Sequence, residues 1–391
     1  PASDDALMGI NSNILGIDLP TENSGQILTL VVGGAGSGKV AAGFGVSVNN
    51  VDNSIVASIA NGSDVHAAVG GVSVTATDAS VIDALAFGGA GAGKVAGGGA
   101  IAVNTITNDI RAEISGSKVV AGADVAVTAL SSSIIRTLGM GVSGAGNVAV
   151  SVSGIGNGVS NSVTASVNGG STVYAVGDVL LTASDVAPSV LPSWMLPAEM
   201  DADFNDAVDG SPIDLDANIL ALQLSIAGSG KVAVGVSLMG NVVANTVTTE
   251  IDGSVVTAGA NTAGTIVNGD GDVVLESLSD AGILAATVGV AGAGNVAINA
   301  SGFGNVITND THADVKGGSN VTSGGLTDLT ATDLSQIRSI GIGIAASGSV
   351  AASVLVGAKV ITNYVKSRIA GSRVDSRSTL DLTASNDADI L

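Results

Sequence analysis

The string Gly33-Gly34-Ala35-Gly36-Ser37-Gly38-Lys39 has the G-x4-G-K spacing of a phosphate-binding loop, and Gly88 to Lys94 repeats it. Such a loop cradles phosphate where a strand opens into a helix, and a Ser or Thr after the Lys holds magnesium. Val40 and Val95 stand there instead, and strand-like sequence surrounds both strings, so each reads as a turn. Asp201-x-Asp203-x-Asn205 begins like a calcium loop, but Asp206 replaces the required Gly and Pro212 sits where a bidentate Glu belongs. A second acidic turn, Asn268-Gly269-Asp270-Gly271-Asp272, is short of a calcium-binding nonapeptide. Both are weak calcium candidates whose plainer reading is a solvated loop, and no other cofactor is expected. His66 and His312 are the two histidines and are far apart in sequence, which speaks against a histidine metal pair. No G-x-S-x-G elbow exists to build a Ser–His–Asp triad. A polysaccharide-cleaving enzyme needs clustered carboxylates in an aromatic-lined groove, and the whole chain holds one Trp, two Tyr and four Phe. The expectation is a protein that is not an enzyme.

What these strings share is recurrence. GAGSGKVA, GAGAGKVA, SGAGNVAV, AGSGKVAV, AGAGNVAI and ASGSVAAS are one element occurring six times, each with a polar turn residue: Lys39, Lys94, Asn147, Lys231, Asn295 and Ser349. Fourteen residues after each turn residue stands an asparagine: Asn53, Asn108, Asn161, Asn245, Asn309 and Asn363. A D-V-x-L-T-A-like element follows, with Thr75, Thr128, Thr182, Thr330 and Thr383 in register and Glu276 in the fourth copy. The unit is about 54 residues. Lys231 follows Asn147 by 84 residues, which places an insertion of about 30 around 186–215, and about ten extra residues fall near 259–270. Residues before the first turn are echoed before the fourth, so two halves are expected: 1–185, an acidic leader plus three coils, and 186–391, an acidic Pro- and Trp-containing insertion plus three coils.

Each unit reads as strands. After the asparagine, apolar or small residues recur at every second position, as in Ile110/Ala112/Ile114 and Val163/Ala165/Val167, with Arg111, Glu113, His312, Asp314, Lys366 and Arg368 between them on a wet face. The run ends at Gly116, Gly169, Gly253, Gly317 or Gly371, or at Asn61-Gly62, where a left-handed turn residue is wanted. Around the turn, as in Leu138 to Val152, both faces are apolar or tiny, which implies strands covered on both sides. The fold class expected is all-β: a repetitive solenoid of six wide or flattened parallel coils with a short irregular insertion, stacked because no single unit can bury its own face. The six asparagines would stack at one corner as an amide ladder.

Hydrophobic residues make up 46% of the chain, with 56 Gly, no Cys and a net charge of −21. A core of Val, Ile, Leu, Ala and Gly suits closely spaced sheets, and the acidity leaves no basic stripe for nucleic acid. The charge-free stretch 137–177 alternates and is rich in Gly, Ser and Asn, so no membrane span is read. A start at Pro1 fits a mature form or a fragment.

Asn161-Ser-Val-Thr-Ala-Ser-Val167 and Gly177-Asp-Val-Leu-Leu-Thr-Ala183 resemble the repeats of large bacterial filamentous exoproteins, the haemagglutinin-like and leukotoxin-like filamentous adhesins. The resemblance covers roughly 27–391 apart from the insertions, and it implies a solenoid that is secreted or at the cell surface. The function expected is a structural segment of an extracellular filament or biofilm matrix fibre, partnering itself end to end and laterally. The alternative is the stalk of an adhesin that meets a surface or glycan ligand through Trp194, Met195 and Met200 in the insertion.

Overall fold

The computed structural model describes residues 13–14, 17–18, 27–190, 216–267 and 269–391. The chain is an all-β solenoid in which four parallel sheets run the length of the stack, each taking one strand or strand pair from every coil. The second coil shows the plan: Val81–Ala92 in sheet I, Val95–Ser115 in sheet II, Lys118–Ala121 in sheet III and Val125–Ser131 in sheet IV. In the sixth coil the same walls are Gln336–Ser347, then Val350–Ile361 with Tyr364–Ile369, then Arg373–Ser376 and Leu380–Asn386. Asn13–Ile14 and Ile17–Asp18 form a separate antiparallel pair.

Insertions leave the register untouched. Ile135 pairs with Ile219 and Ile219 with Ile283, so the long excursion after Val186 rejoins the stack one coil further on. Its base is clamped by a bridge between Ser189 and Asp216 and by the Ala217 amide donating to the Pro188 carbonyl at 3.0 Å. Sheets I and II therefore cross the boundary between the two expected halves without a break.

The cross-section has two compartments. Sheets II, III and IV close a three-sided prism whose core is Val, Ile, Leu and Ala, including Ile110, Val119 and Val127, all fully buried. Gly116, Gly169, Gly253, Gly317 and Gly371 turn the corner from sheet II to sheet III with φ between +54° and +69°, a region only glycine enters freely. Sheets I and II then run on together as a flat two-layer blade. Its interior narrows from Ile82, Ile106 and Ile135 at the base to Ala41, Ala90 and Ala96 near the tip. Between these the sheets press so close that a Cβ on Gly88 would lie 1.5 Å from the Gly99 carbonyl oxygen.

The glycine-rich turn joins the two layers at the blade tip. It is an arch and not a hairpin: the strands it connects pair with their copies in neighbouring coils, not with each other. The turns stack too, with the Val95 amide donating to the Lys39 carbonyl at 2.9 Å and Val148 to Lys94 at 2.9 Å. The turn's peptide groups serve the axial ladder and form no phosphate cradle.

Two expectations change. Among the described residues the strands flanking the turn are covered on one face only, and the other face is left open along both sides of the blade: Leu238, in the fourth of six coils, is 56% exposed and Ile342 44%. The charged face after the asparagine is not uniformly wet either. Asp314 is buried under Lys366 and Arg368, which approach it at 3.3 and 3.2 Å, because the long basic side chains of the next coil lie over it.

Candidate functional site

The densest polar construction sits on the seam between prism and blade. Asn53, Asn108, Asn161, Asn245, Asn309 and Asn363 form one axial row there, and the middle four are buried. Their side chains do not bond amide to amide. At four of the five coil-to-coil steps the side-chain carbonyl accepts the backbone N–H of the asparagine one coil before: Asn53 N–H to Asn108 Oδ1 at 3.2 Å, Asn161 to Asn245 at 2.9 Å, Asn245 to Asn309 at 3.1 Å, Asn309 to Asn363 at 3.1 Å; Asn161 Oδ1 is buried without a partner among the described residues. The row has a direction. The free amide then reaches across the seam to the end of sheet IV: Asn108 Nδ2 donates to Asp78 Oδ2 at 2.8 Å, Asn161 to Asp185 at 2.9 Å, Asn309 to Asp333 at 3.0 Å.

These acceptors form a column of their own. In register along sheet IV stand Asp78, Ser131, Asp185, Ser279, Asp333 and Asn386. Carboxylates occur in alternate coils, so neighbours are about 9.6 Å apart and not about 4.8 Å. Buried like charges at the shorter spacing would repel strongly. Asp78 serves Asn53 and Asn108, and Asp333 serves Asn309 and Asn363. Asp185 serves Asn161 alone; its Oδ1 and the Nδ2 of Asn245 are buried without a hydrogen-bond partner among the described residues. Burial pushes the Asp185 carboxyl up to about 7, with Asp78 and Asp280 adding to the rise and the bonds from Asn161 and Ser131 opposing it.

A second row lies inside the blade, ten residues after each turn. Here the amides do bond to each other: Asn49 Nδ2 to Asn104 Oδ1 at 2.7 Å, Asn104 to Asn157 at 2.8 Å, Asn157 to Asn241 at 2.9 Å, Asn241 to Asn305 at 2.7 Å. Lys359 takes the place in the sixth coil, and its ammonium donates to the Leu391 carbonyl. The signal was in the sequence as five asparagines at constant offset, broken only by Lys359.

Of the acidic turns, Asp272 is committed to the backbone: its Oδ1 accepts the Leu326 N–H at 2.7 Å, and its own N–H donates to Asp178 Oδ1 at 2.9 Å. Among the described residues no group of three His, Asp or Glu is placed to hold a metal ion, and Asp270 is not brought to one. Asp201, Asp203, Asn205, Trp194, Met195 and Met200 lie outside the described residues. His312 packs edge-on to Tyr364 with ring centroids 5.5 Å apart, beside Asp310. No helix is long and apolar enough to cross a membrane among the described residues.

The remaining candidate surface is the pair of stack ends. Among the described residues, Val40–Ala60, Asp64–Ala67 and Val72–Asp78 pair only with the second coil, and Val350–Ile361, Arg373–Ser376 and Leu380–Asn386 only with the fifth. Each presents a row of backbone donors and acceptors along the axis. No protein-family model matches the chain, and no curated protein or solved structure matches it.

Proposed function

We propose that this chain is a structural segment of a secreted bacterial filament or matrix fibre, extended end to end by strand stacking. The observation that carries this is the directional asparagine row. Four of the five coil-to-coil steps bond an asparagine N–H to the next coil's asparagine Oδ1, the step from Asn108 to Asn161 being the exception, so Asn363 N–H and Asn53 Oδ1 are complementary across a junction. Sheets II, III and IV supply matching edges around it, while in sheet I Asp389–Ile390 already pairs with the start of Gln336–Ser347, and the core chemistry is the same in first and last coils, which is what continuation needs. The resemblance of the repeats to filamentous exoproteins supports the same reading and the extracellular location. No catalytic role is part of this reading.

The adhesin-stalk alternative rests on the insertion at 186–215, whose Trp194, Met195 and Met200 would contact a surface or glycan ligand. Electron microscopy of the purified chain separates the two. Rods lengthening in whole multiples of six coils, about 29 Å each, support the filament. Single rods that never lengthen, but bind a surface through the insertion, favour the stalk.

A further inference from the structure

The glycines of sheet II divide into two kinds. Those facing the blade interior are required by the fold: a Cβ on Gly43 or Gly98 would lie 2.1 or 2.0 Å from a carbonyl oxygen of sheet I. Most of those facing outward are not, the exceptions being Gly99 and Gly302, where a Cβ would lie 2.6 Å from the Val152 and 3.2 Å from the Val356 carbonyl oxygen. A Cβ on Gly154 or Gly156 would meet nothing nearer than 3.9 Å, and on Gly240 or Gly304 nothing within 4 Å. Their φ angles are not in the left-handed region either. Glycine weakens a strand, and where the chain's own packing does not need it, the remaining reason is close approach of another surface.

That surface would meet a flat apolar wall. Burial alternates along Val95–Ser115 and Val148–Asn168, broken only at Gly99 and Ser166, so among the described residues the packing lies behind sheet II. Up to eleven residues past the turn, the outward positions carry no charged side chain in any coil. At about 3.3 Å per residue and about 4.8 Å per coil, the wall is about 1,000 Å². Burying it on two partners removes about 2,000 Å², at the upper end of what stable specific interfaces bury.

The relief of the wall says which partner. Seven residues after the turn, coils two to five carry Ile101, Gly154, Leu238 and Gly302: ridge, groove, ridge, groove. Gly154 and Gly156 lie as a shallow groove of about 300 Å³ between Ile101 and Leu238. Turning a second copy about a two-fold axis along the strands, between coils three and four, keeps strand direction and reverses coil order. Leu238 then lies over Gly154, Ile101 over Gly302 and Val103 over Gly304, each contact occurring twice. We propose that the outer face of sheet II is a homodimer surface, on which a second copy of this chain packs in that coil-reversed register. A lipid surface fits less well: acyl chains need no such relief, and the open strand edges at the ends of the wall would be left unpaired in hydrocarbon.

The test is a large-for-small exchange read by sedimentation equilibrium of the full chain. Gly154→Leu should set leucine against Leu238 and weaken the dimer by about tenfold or more. Leu238→Gly alone should weaken it by removing the ridge. The double variant, Gly154→Leu with Leu238→Gly, should restore dimerisation, because ridge and groove have merely exchanged coils. Both positions face outward, so circular dichroism of every variant should stay that of the parent, and melting should shift only slightly, downward for Leu238→Gly because glycine weakens a strand. End-to-end growth is a separate process: it gives an open series of masses, which Gly154→Leu leaves in place. The proposal is overturned if Gly154→Leu leaves the dimer unchanged, or if the double variant fails to recover it. It is equally overturned if the chain stays free of face pairing and floats with phosphatidylcholine vesicles.

Discussion

Asn161 Nδ2 donates to Asp185 Oδ2 at 2.9 Å, across the seam that separates the prism core from the blade core. Both side chains are buried, and the second oxygen of the carboxylate has no hydrogen-bond partner among the described residues. A neutral amide cannot offset the loss of water around a charge, which is why burial raises the Asp185 carboxyl from 3.8 to about 7.

The sign of the pH dependence follows. Between pH 3.8 and about 7 the folded chain keeps a proton on Asp185 that the unfolded chain releases. Its contribution to stability therefore falls as pH rises through this window, and the whole penalty is present above it. Asp185→Asn should stabilise the protein at pH 8, by at most on the order of 4 kcal/mol, and the gain should fade towards pH 4. Urea melts of both proteins from pH 4 to 8 measure it. A gain independent of pH would show that the carboxylate is not the source.

The alternation of Asp and Ser along sheet IV makes a second prediction. Ser131→Asp places a carboxylate one coil from both Asp78 and Asp185. At that spacing, in a sealed seam, the added charge should cost several kcal/mol at pH 7, on the order of 3. The loss should shrink below pH 5, where the new group protonates. Ser132→Asp, displaced by one residue, serves as the control and should cost less. Equal losses from the two would mean that spacing between carboxylates is not what the alternation secures.

The two asparagine rows should differ in cost. Asn161→Leu removes the amide that Asp185 and Ser131 accept, and is expected to destabilise by about 1–3 kcal/mol. Asn157→Leu removes more: Asn104 Nδ2 and Thr137 Oγ1 lose an acceptor, and Asn241 Oδ1 loses a donor. About 2–5 kcal/mol is expected for it. Chemical denaturation ranks the pair, and the reverse order would mean that the blade row is the lesser support.

The axial register was legible because one asparagine recurs fourteen residues after every turn, from Asn53 to Asn363. What that row bonds to was not legible. Asp78 and Asp185 acquire meaning only from neighbours 30 or 24 residues away, whose placement depends on where sheet IV meets the seam. The blade row ends in Lys359, and one lysine was enough to hide five aligned asparagines. Apolarity on both faces of the turn strands was read as cover from both sides, a natural inference for parallel sheets. One cover is sheet I; the other is not within the described residues of this chain, which the sequence of one chain has no means to say. The acidic turn at Asp270 and Asp272 resembled a ligand set because side-chain identity was visible and backbone demand was not.

The end of the blade row carries the last prediction. Lys359 points an ammonium into the register position that asparagine holds in the five preceding coils, at a strand that pairs on one side only. A charge facing inward on an edge strand opposes further pairing. Docking of a last coil on a first coil would set Lys359 against Asn49, whose Oδ1 already accepts the Thr29 hydroxyl at 2.6 Å. The junction is thus built from a matched seam row and a mismatched blade row, and its growth should be slow at low salt, where a net charge of −21 per chain also repels. Salt or calcium should promote growth by screening that repulsion. Lys359→Asn should continue the blade row and speed end-to-end growth under every condition, by about tenfold in association constant for one added buried amide bond. Sedimentation velocity across salt and calcium, with parent and variant side by side, gives the answer. If Lys359→Asn leaves growth unchanged while salt promotes it, association runs through a surface other than the stack ends. If neither salt nor the variant yields masses beyond a pair, the chain does not extend by coil stacking and the filament reading fails.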